Sequence, residues 1–215
     1  MIKKIITLSY TFCLALFLPF MANAADYQEG LQYTQINEKV SSKAEVREYF
    51  SFYCPHCFRF EPLMENVKAQ LPDNTKFERN HVDFLRAASP EVQFMLSKAV
   101  VVAQQLKMEK KLINALFKYI HVQRAVFSSE KDIRNVFVLN GADGEKFDKL
   151  MKSFSVNSQA KKMKKYQEEL TKKRVLTSVP TVIINGKYRI NPKKLDKADL
   201  EGDYKKLVTY LLSLD

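Results

Sequence analysis

The sequence predicts an α/β fold in which two halves of one sheet flank a long helical block. A strand, a helix and a second strand follow one another over residues 45–84, and strand signals return only near Val179. Between these halves about 80 residues show only helical patterns. Neither a repeat nor a low-complexity linker separates the parts, so an insertion into one sheet is favoured over two domains in series.

The first half is predicted to be a β-α-β unit. Residues 45–53 are aromatic and β-branched, which is typical of a central strand covered on both faces. The next helix shows apolar residues at helical spacing; Pro62 should kink it and Pro72 should end it. Residues 75–84 have the pattern of a second strand, which a crossover connection makes parallel to the first.

The helical block and the second half carry clear boundary signals. Ser89 and Pro90 have the pattern of an N-cap and a first helical position. Asn140-Gly141 should end a later helix, and a long basic helix is predicted over 156–174. Asn185-Gly186 then predicts a tight antiparallel hairpin, which a last helix follows. By contrast, residues 26–43 are mixed and polar, with Tyr33 and Ile36 expected as edge contacts.

Residues 1–24 have the pattern of a cleaved secretory signal peptide. Lys3-Lys4 precede an apolar run, and Ala22-Asn23-Ala24 supplies the small residues that a signal peptidase needs. The alternative is an uncleaved membrane anchor, because the apolar run approaches the necessary length. Pro19 would break a helix just before the small residues, which favours cleavage.

Cleavage of the signal peptide would change which cysteines the exported protein contains. Cleavage would remove Cys13 and lower the formal net charge from +11 to +9. Cys54 and Cys57 would then be the two remaining cysteines, with no distant partner for a structural disulfide.

The basic charge fits a solvated helical surface better than a site for acidic partners or an anionic membrane. Nucleic acid is not an expected partner of an exported protein without basic residues interleaved with aromatic ones.

The cysteine pair is placed for thiol chemistry. Cys54 should lie at a helix N-terminus, where free N–H groups and the helix dipole favour an anion such as a thiolate. Pro55 withholds a donor where none is needed, and His56 can add positive charge or a hydrogen bond. We expect Cys54 to be the exposed nucleophile and Cys57, one turn later, to be the sheltered resolving thiol. A stabilised thiolate makes the disulfide form the stronger oxidant.

Three other interpretations of the pair are weaker. A zinc site would need two further ligands, and the three histidines lack the usual spacing, so we expect no metal. A structural disulfide between such close neighbours would constrain the unfolded chain very little. An inert buried pair does not fit a position at the start of a helix.

The chain resembles the DsbA family of periplasmic thiol:disulfide oxidoreductases. The likeness extends through essentially all of the mature chain and is carried by three runs: Phe50-Ser51-Phe52-Tyr53-Cys54-Pro55-His56-Cys57, Ser178-Val179-Pro180-Thr181 and Asn185-Gly186-Lys187-Tyr188. It implies a thioredoxin fold, formed by residues 25–84 and 167–215, with an inserted all-helical domain over 85–166. A low thiolate pKa and a strongly oxidising disulfide are also implied, since this family is a standard example of both.

The resemblance also implies roles for residues away from the cysteines. Pro180 would be a cis-proline facing the disulfide, and Val179 would pair its backbone with an extended substrate. Glu48 matches a buried acid beneath the site, Arg79 its basic partner, and Glu61 an acid on the active-site helix. Ordinary ion pairs are the alternative for these three charges. The strong basic charge, the lack of tryptophan and the proline at position 62 depart from the family pattern.

The implied function is that of a periplasmic disulfide oxidase. Its disulfide would pass to unfolded exported proteins through a mixed disulfide at Cys54, with no cofactor beyond the Cys54–Cys57 couple. A DsbB-like, quinone-linked inner-membrane protein would reoxidise the enzyme, which is expected to be a monomer. A disulfide isomerase or reductase, or a chaperone-like peptide binder that uses the same groove, are the alternatives.

Overall fold

The computed structural model describes residues 27–37 and 41–214, so the predicted signal peptide over 1–24 lies outside the described residues. Five strands form one sheet: β1 (Tyr33–Gln35), β2 (Glu45–Phe50), β3 (Lys76–His81), β4 (Thr181–Ile184) and β5 (Tyr188–Ile190). The helices are α1 (Pro55–Lys68), α2 (Pro90–Gln105), α3 (Glu109–His121), α4 (Glu130–Leu139), α5 (Gly144–Lys152), α6 (Phe154–Lys172) and α7 (Leu200–Leu212).

The sheet is mixed, with the strand order β1-β5-β4-β2-β3. β2 and β3 are parallel, as the β-α-β pattern predicted, and the other neighbouring pairs are antiparallel. β1 was not predicted, because three residues are too short to show an alternating pattern. It pairs with the edge of β5, and Tyr33 and Ile36 are both buried there. The predicted α/β fold with a helical insertion is confirmed.

The predicted hairpin turn and the predicted N-cap of α2 are present. Asn185 and Gly186 both have positive φ values, 52° and 69°, as a two-residue turn between twisted strands requires. The Asn185 side chain also accepts a hydrogen bond from the Glu45 N–H at 2.9 Å, which ties the turn to the start of β2. Ser89 caps α2 by accepting from the N–H of Val92 at 3.3 Å.

One predicted helix end is wrong. Helix α1 ends at Lys68, whereas the sequence placed the end at Pro72. The N–H groups of Gln70 and Leu71 bond three residues back instead of four, so the chain tightens into turns before the proline. A residue that precedes proline avoids the helical region, which explains why the helix stops early.

The hydrophobic core joins the helical block to the sheet. One buried cluster contains Phe50, Phe52 and both described cysteines together with side chains of α2, α3, α4 and α5. A second cluster lies between the sheet, α1 and α7. Helix α6 runs without interruption across the predicted boundary between residues 166 and 167, and the assignment of separate domains stays a prediction.

None of the helices within residues 27–37 and 41–214 combines the length and apolar character needed to cross a membrane.

Because the active-site strand end shares a core with the insertion, truncating a side chain of that core should destabilise the protein. Leu116→Ala, at a fully buried position of α3, should lower the free energy of unfolding by about 2–5 kcal/mol. The control is Leu139→Ala at a position that is 85% exposed, which should change it by less than about 0.5 kcal/mol. Urea unfolding followed by circular dichroism measures both values. Equal effects would contradict the assignment of a shared core.

Candidate active site

The turn between β2 and α1 delivers Cys54 to the start of the helix. The N–H of Cys54 donates to the Ser51 carbonyl at 3.1 Å, and the N–H of Tyr53 donates to the Ser51 hydroxyl at 3.2 Å. Cys54 is the N-cap of α1 and has extended backbone angles, while Pro55 fills the first helical position. A proline there costs no hydrogen bond, because the first N–H groups of a helix have no partner within it.

The two sulfur atoms have different surroundings. The Sγ of Cys54 accepts a hydrogen bond from the Cys57 N–H at 3.2 Å and lies 3.5 Å from the carbonyl oxygen of Val179. Cys57 is fully buried, as expected for a resolving thiol. Cys54 was expected to be exposed, yet only 6% of its surface is accessible, because the Val179 segment covers it. Both residues are unbonded thiols in this structure.

This environment lowers the pKa of Cys54 to about 7, from an ordinary value of 9.0. The hydrogen bond from the Cys57 thiol is the largest cause, and the backbone N–H groups of Cys57 and His56 and the charge of Arg59 add to it. Burial opposes the change. The pKa of Cys57 is raised, chiefly by burial. The pair therefore divides into one thiol that ionises near neutral pH and one that holds its proton.

The segment facing Cys54 contains a cis peptide bond. The bond between Val179 and Pro180 is cis, as the family resemblance implied, and both residues are half-buried. The Val179 carbonyl is directed at the Cys54 sulfur. That Val179 also pairs with a substrate backbone stays a prediction.

His56 helps to lower the pKa of Cys54 through its backbone N–H, and its ring faces away into solvent. The ring is exposed, and its Nδ1 lies 2.9 Å from an Nη atom of Arg59. Arginine has no acceptor, so in this contact the guanidinium donates and the imidazole nitrogen accepts. Arg59 was missed in the sequence, although its place one turn after the helix start is a usable signal.

A buried cluster of charges lies beneath the cysteine pair. Arg79 is fully buried and donates to Glu61 at 2.7 and 2.9 Å and to Glu65 at 2.6 Å. Its guanidinium also lies 3.3 Å from Glu48 and 3.4 Å from Glu109. The structure thus brings together the three charged residues that the sequence singled out and adds two more.

Of the two added acids, one could have been predicted from the sequence and the other could not. Glu65 stands four residues after Glu61, so both face the same side of α1, and this spacing is a readable signal. Glu109 comes from α3 in the insertion, where it also pairs with Lys68. Nothing in the local sequence indicates that contact, because it depends on how α3 packs against α1.

Burial changes the ionisation of these acids. It raises the pKa of Glu48 to about 8, and the charge of Arg79 counteracts only part of this change. The pKa of Glu61 is also raised, with burial as the first cause and Arg79 again opposing it. Glu48 in turn helps to raise the pKa of the Cys57 thiol, so its carboxyl group acts on the buried member of the redox pair.

Two histidines that were considered from the sequence as possible zinc ligands lie close to the active-site turn. His81 is buried, its Nδ1 lies 2.9 Å from the Ser97 hydroxyl, and its ring stacks on Phe52. His121 contacts the carbonyl oxygen of Phe52. Over residues 27–37 and 41–214, no group of three or more His, Cys, Asp or Glu side chains is arranged to hold a metal ion.

The site joins a strand, a turn and a helix, with Cys54 as the N-cap of the helix and Cys57 one turn later. A cis-proline, Pro180, faces this pair. These features together define a thiol:disulfide oxidoreductase of the thioredoxin fold. Residues 45–201 match the family model described as the DSBA-like thioredoxin domain. The thiol:disulfide interchange protein DsbA of Salmonella typhimurium is 37% identical, over 91% of this chain and 93% of its own. The chain belongs to the DsbA family.

Solved structures agree with this assignment. The disulfide oxidoreductase DsbA from Proteus mirabilis superposes with a TM-score of 0.76 at 33% identity, covering 89% of this chain and 100% of its own. A complex of the Proteus mirabilis protein with a non-covalently bound peptide gives 0.77 at 32% identity, covering 88% and 100%.

The buried thiol of Cys57 should control the ionisation of Cys54. Cys57→Ala removes the main hydrogen-bond donor to the Cys54 sulfur, so the pKa of Cys54 should rise from about 7 toward 9. Cys57→Ser keeps a hydroxyl donor and is the control, with a smaller rise expected. Ultraviolet absorbance of the thiolate against pH measures both. An unchanged titration in Cys57→Ala would show that the backbone alone stabilises the thiolate.

The stability of the reduced protein should depend on pH in a defined direction. The folded-state pKa of Cys54 lies below its unfolded value, so its contribution is present above pH 9 and is lost as pH falls through about 7. The free energy of unfolding of the reduced form, relative to the oxidised form, should therefore increase between pH 7 and 9. Denaturant titrations of both forms at three pH values measure this difference, and a decrease would be contrary to the assigned pKa.

Removing the central cation should destabilise the buried cluster. Arg79→Gln leaves buried acids without their partner and should lower the free energy of unfolding by about 3–5 kcal/mol at neutral pH. The folded-state pKa of Glu48 is raised from 4.5 to about 8, so its contribution to stability is present below pH 4.5 and is lost as pH rises through about 8. The loss of stability caused by Arg79→Gln should therefore become smaller at low pH.

The control for this variant is Arg134→Gln, which removes a partly exposed pair with Asp148. Such pairs are worth less than about 1 kcal/mol, so little change is expected. A deficit for Arg79→Gln that did not depend on pH would rule out the unpaired carboxyls as its cause.

Proposed function

We propose that this protein is a periplasmic disulfide oxidase that donates its Cys54–Cys57 disulfide to newly exported, unfolded proteins. The cysteine pair at the start of α1, in a chain of the DsbA family, carries the proposal. The lowered pKa of Cys54 supports it, because a stabilised thiolate favours the reduced enzyme. The apolar run and small residues of 1–24, together with the likeness to DsbA proteins, support export to the periplasm.

The reaction begins at the sulfur of Cys54. A substrate thiolate attacks Sγ of Cys54, the Cys54–Cys57 bond breaks, and Cys57 leaves with the electron pair and takes a proton. The raised pKa of Cys57 favours that protonated product. The charge of Glu48 adds to this increase, and the pKa of Glu48 is itself raised to about 8. The product is a mixed disulfide between Cys54 and the substrate.

The second step releases the oxidised substrate. A second substrate thiolate attacks the substrate sulfur of the mixed disulfide, and Cys54 leaves as a thiolate. Its low pKa makes it a good leaving group, since the helix N-terminus stabilises the charge. Two electrons have then passed from the substrate to the enzyme, which is left as a dithiol.

The Val179–Pro180 segment is proposed to hold the substrate backbone next to Cys54. The Val179 carbonyl oxygen lies 3.5 Å from the Cys54 sulfur, next to the bond that the substrate would attack. The Proteus mirabilis relative has been solved with a non-covalently bound peptide, which supports peptide binding in this family. The dithiol enzyme would be reoxidised by a DsbB-like, quinone-linked membrane protein. No cofactor other than the cysteine couple is required by these steps, and the enzyme is proposed to act as a monomer.

Two cysteine variants test the mechanism. Cys54→Ser should abolish oxidation of a reduced, denatured substrate protein, because the attacked sulfur is missing. In the matched variant Cys57→Ser, Cys54 has no resolving partner and should accumulate as a mixed disulfide when it is treated with an oxidised substrate. Non-reducing electrophoresis and activity recovery of the refolding substrate measure both results. Full oxidase activity of Cys54→Ser would refute the mechanism and favour a peptide-binding role.

A redox titration separates the oxidase from a reductase or isomerase. Equilibration with glutathione mixtures should leave the parent protein largely reduced under conditions that keep thioredoxin-like proteins oxidised. A potential as low as that of thioredoxin, about −270 mV, would be incompatible with the proposed oxidase.

A further inference from the structure

A histidine from the helical insertion contacts the backbone of the active-site turn. His121 is the last residue of α3 and is half-buried, and its Nε2 lies 2.8 Å from the carbonyl oxygen of Phe52. Phe52 stands two residues before Cys54. A carbonyl can only accept, so Nε2 is the donor in this contact.

The same ring also packs against the helix that follows Cys57. The rings of His121 and Phe58 stack with centroids 5.2 Å apart and planes within 9°. Phe117, one turn earlier on α3, packs against both Phe52 and Phe58. The end of α3 therefore holds the turn before Cys54 through a hydrogen bond and the first turn of α1 through aromatic contact.

The position of Cys54 depends on the geometry of this turn. The hydrogen bonds from Tyr53 and Cys54 to Ser51 lie within the turn and fix its internal shape. They do not orient the Phe52 peptide relative to the helical insertion. The bond from His121 does this, because it joins two elements that are far apart in the chain.

We propose that His121 is a positioning residue for the redox pair, which fixes the Phe52 peptide and thereby the direction in which Cys54 enters α1. The inference rests on the thiol pair of the proposed function and adds a residue of the insertion to its control. A freer turn would move the Cys54 sulfur away from the Cys57 N–H, now 3.2 Å distant, and would weaken the stabilisation of the thiolate.

Two substitutions separate the hydrogen bond from the stacking. His121→Phe keeps an aromatic ring against Phe58 but has no donor, whereas His121→Gln keeps an N–H at a similar distance from the backbone but has no ring. Val122→Ala, at the next and largely exposed position, is the matched control. The pKa of Cys54 in each reduced variant is measured from thiolate absorbance, and each variant is also equilibrated with glutathione.

His121→Phe should raise the pKa of Cys54 by at least about 0.5, a threefold change in the thiolate equilibrium, and shift the glutathione equilibrium toward the protein disulfide. His121→Gln and Val122→Ala should titrate like the parent protein. Parent-like titration of His121→Phe would overturn the proposal. Equal changes in His121→Phe and His121→Gln would overturn it as well, since packing would then be the cause.

Folding is checked for each variant by its thermal unfolding midpoint. If His121→Phe does not fold, His121→Met removes the donor with a more adaptable side chain and enters the same comparison. All these measurements are differences from the parent protein at the thiol pair itself. They therefore stand whether the parent proves to be an oxidase or a reductase, a question that the parent's own potential decides.

Discussion

The stabilisation of the Cys54 sulfur by Cys57, through its thiol and through its backbone N–H, is the interaction on which the site depends. The N–H contact exists because Cys54 is the N-cap of α1, where the first N–H groups of the helix have no internal partner. A neutral thiol uses such donors poorly and a thiolate uses them well, so the helix start selects the charged form. The ionisation of Cys54 thus depends on where the helix begins.

The buried charges beneath the cysteine pair show the opposite effect on pKa: the helix start lowers the pKa of Cys54, whereas burial raises the pKa of the acids. Glu48 and Glu61 are held in the interior by a single fully buried Arg79, and burial keeps their pKa values raised in spite of it. Such a cluster gains little stability compared with apolar packing of the same volume. One of its acids, Glu48, helps to raise the pKa of Cys57, so the cluster favours the protonated form of that thiol.

The helical insertion contacts the site through α3. At the start of this helix Glu109 contacts Arg79, and at its end His121 contacts the carbonyl of Phe52, with the buried Phe117 between them. The insertion and the sheet also share a hydrophobic core that includes both cysteines of the pair. Changes in the packing of α3 would therefore reach the charged cluster and the active-site turn together.

The sequence alone determined the features that depend on near neighbours. The Cys54-Pro55-His56-Cys57 run at a helix start, the Ser89 cap and the Asn185-Gly186 turn each follow from steric and hydrogen-bonding preferences within a few residues. The parallel β-α-β unit could also be predicted, because a helical crossover restricts the pairing of its strands. Family resemblance added the cis-proline and the three charged residues.

Tertiary structure decided the contacts between distant segments. The pairing of β1, the near-complete burial of Cys54 under Val179 and the approach of Glu109 and His121 all depend on how separate elements pack. A lone glutamate or histidine on a helix has the same local pattern whether it meets solvent or a buried partner. The sequence therefore specified which thiol pair could react, whereas the packing of the insertion against the sheet determined the groups that surround it.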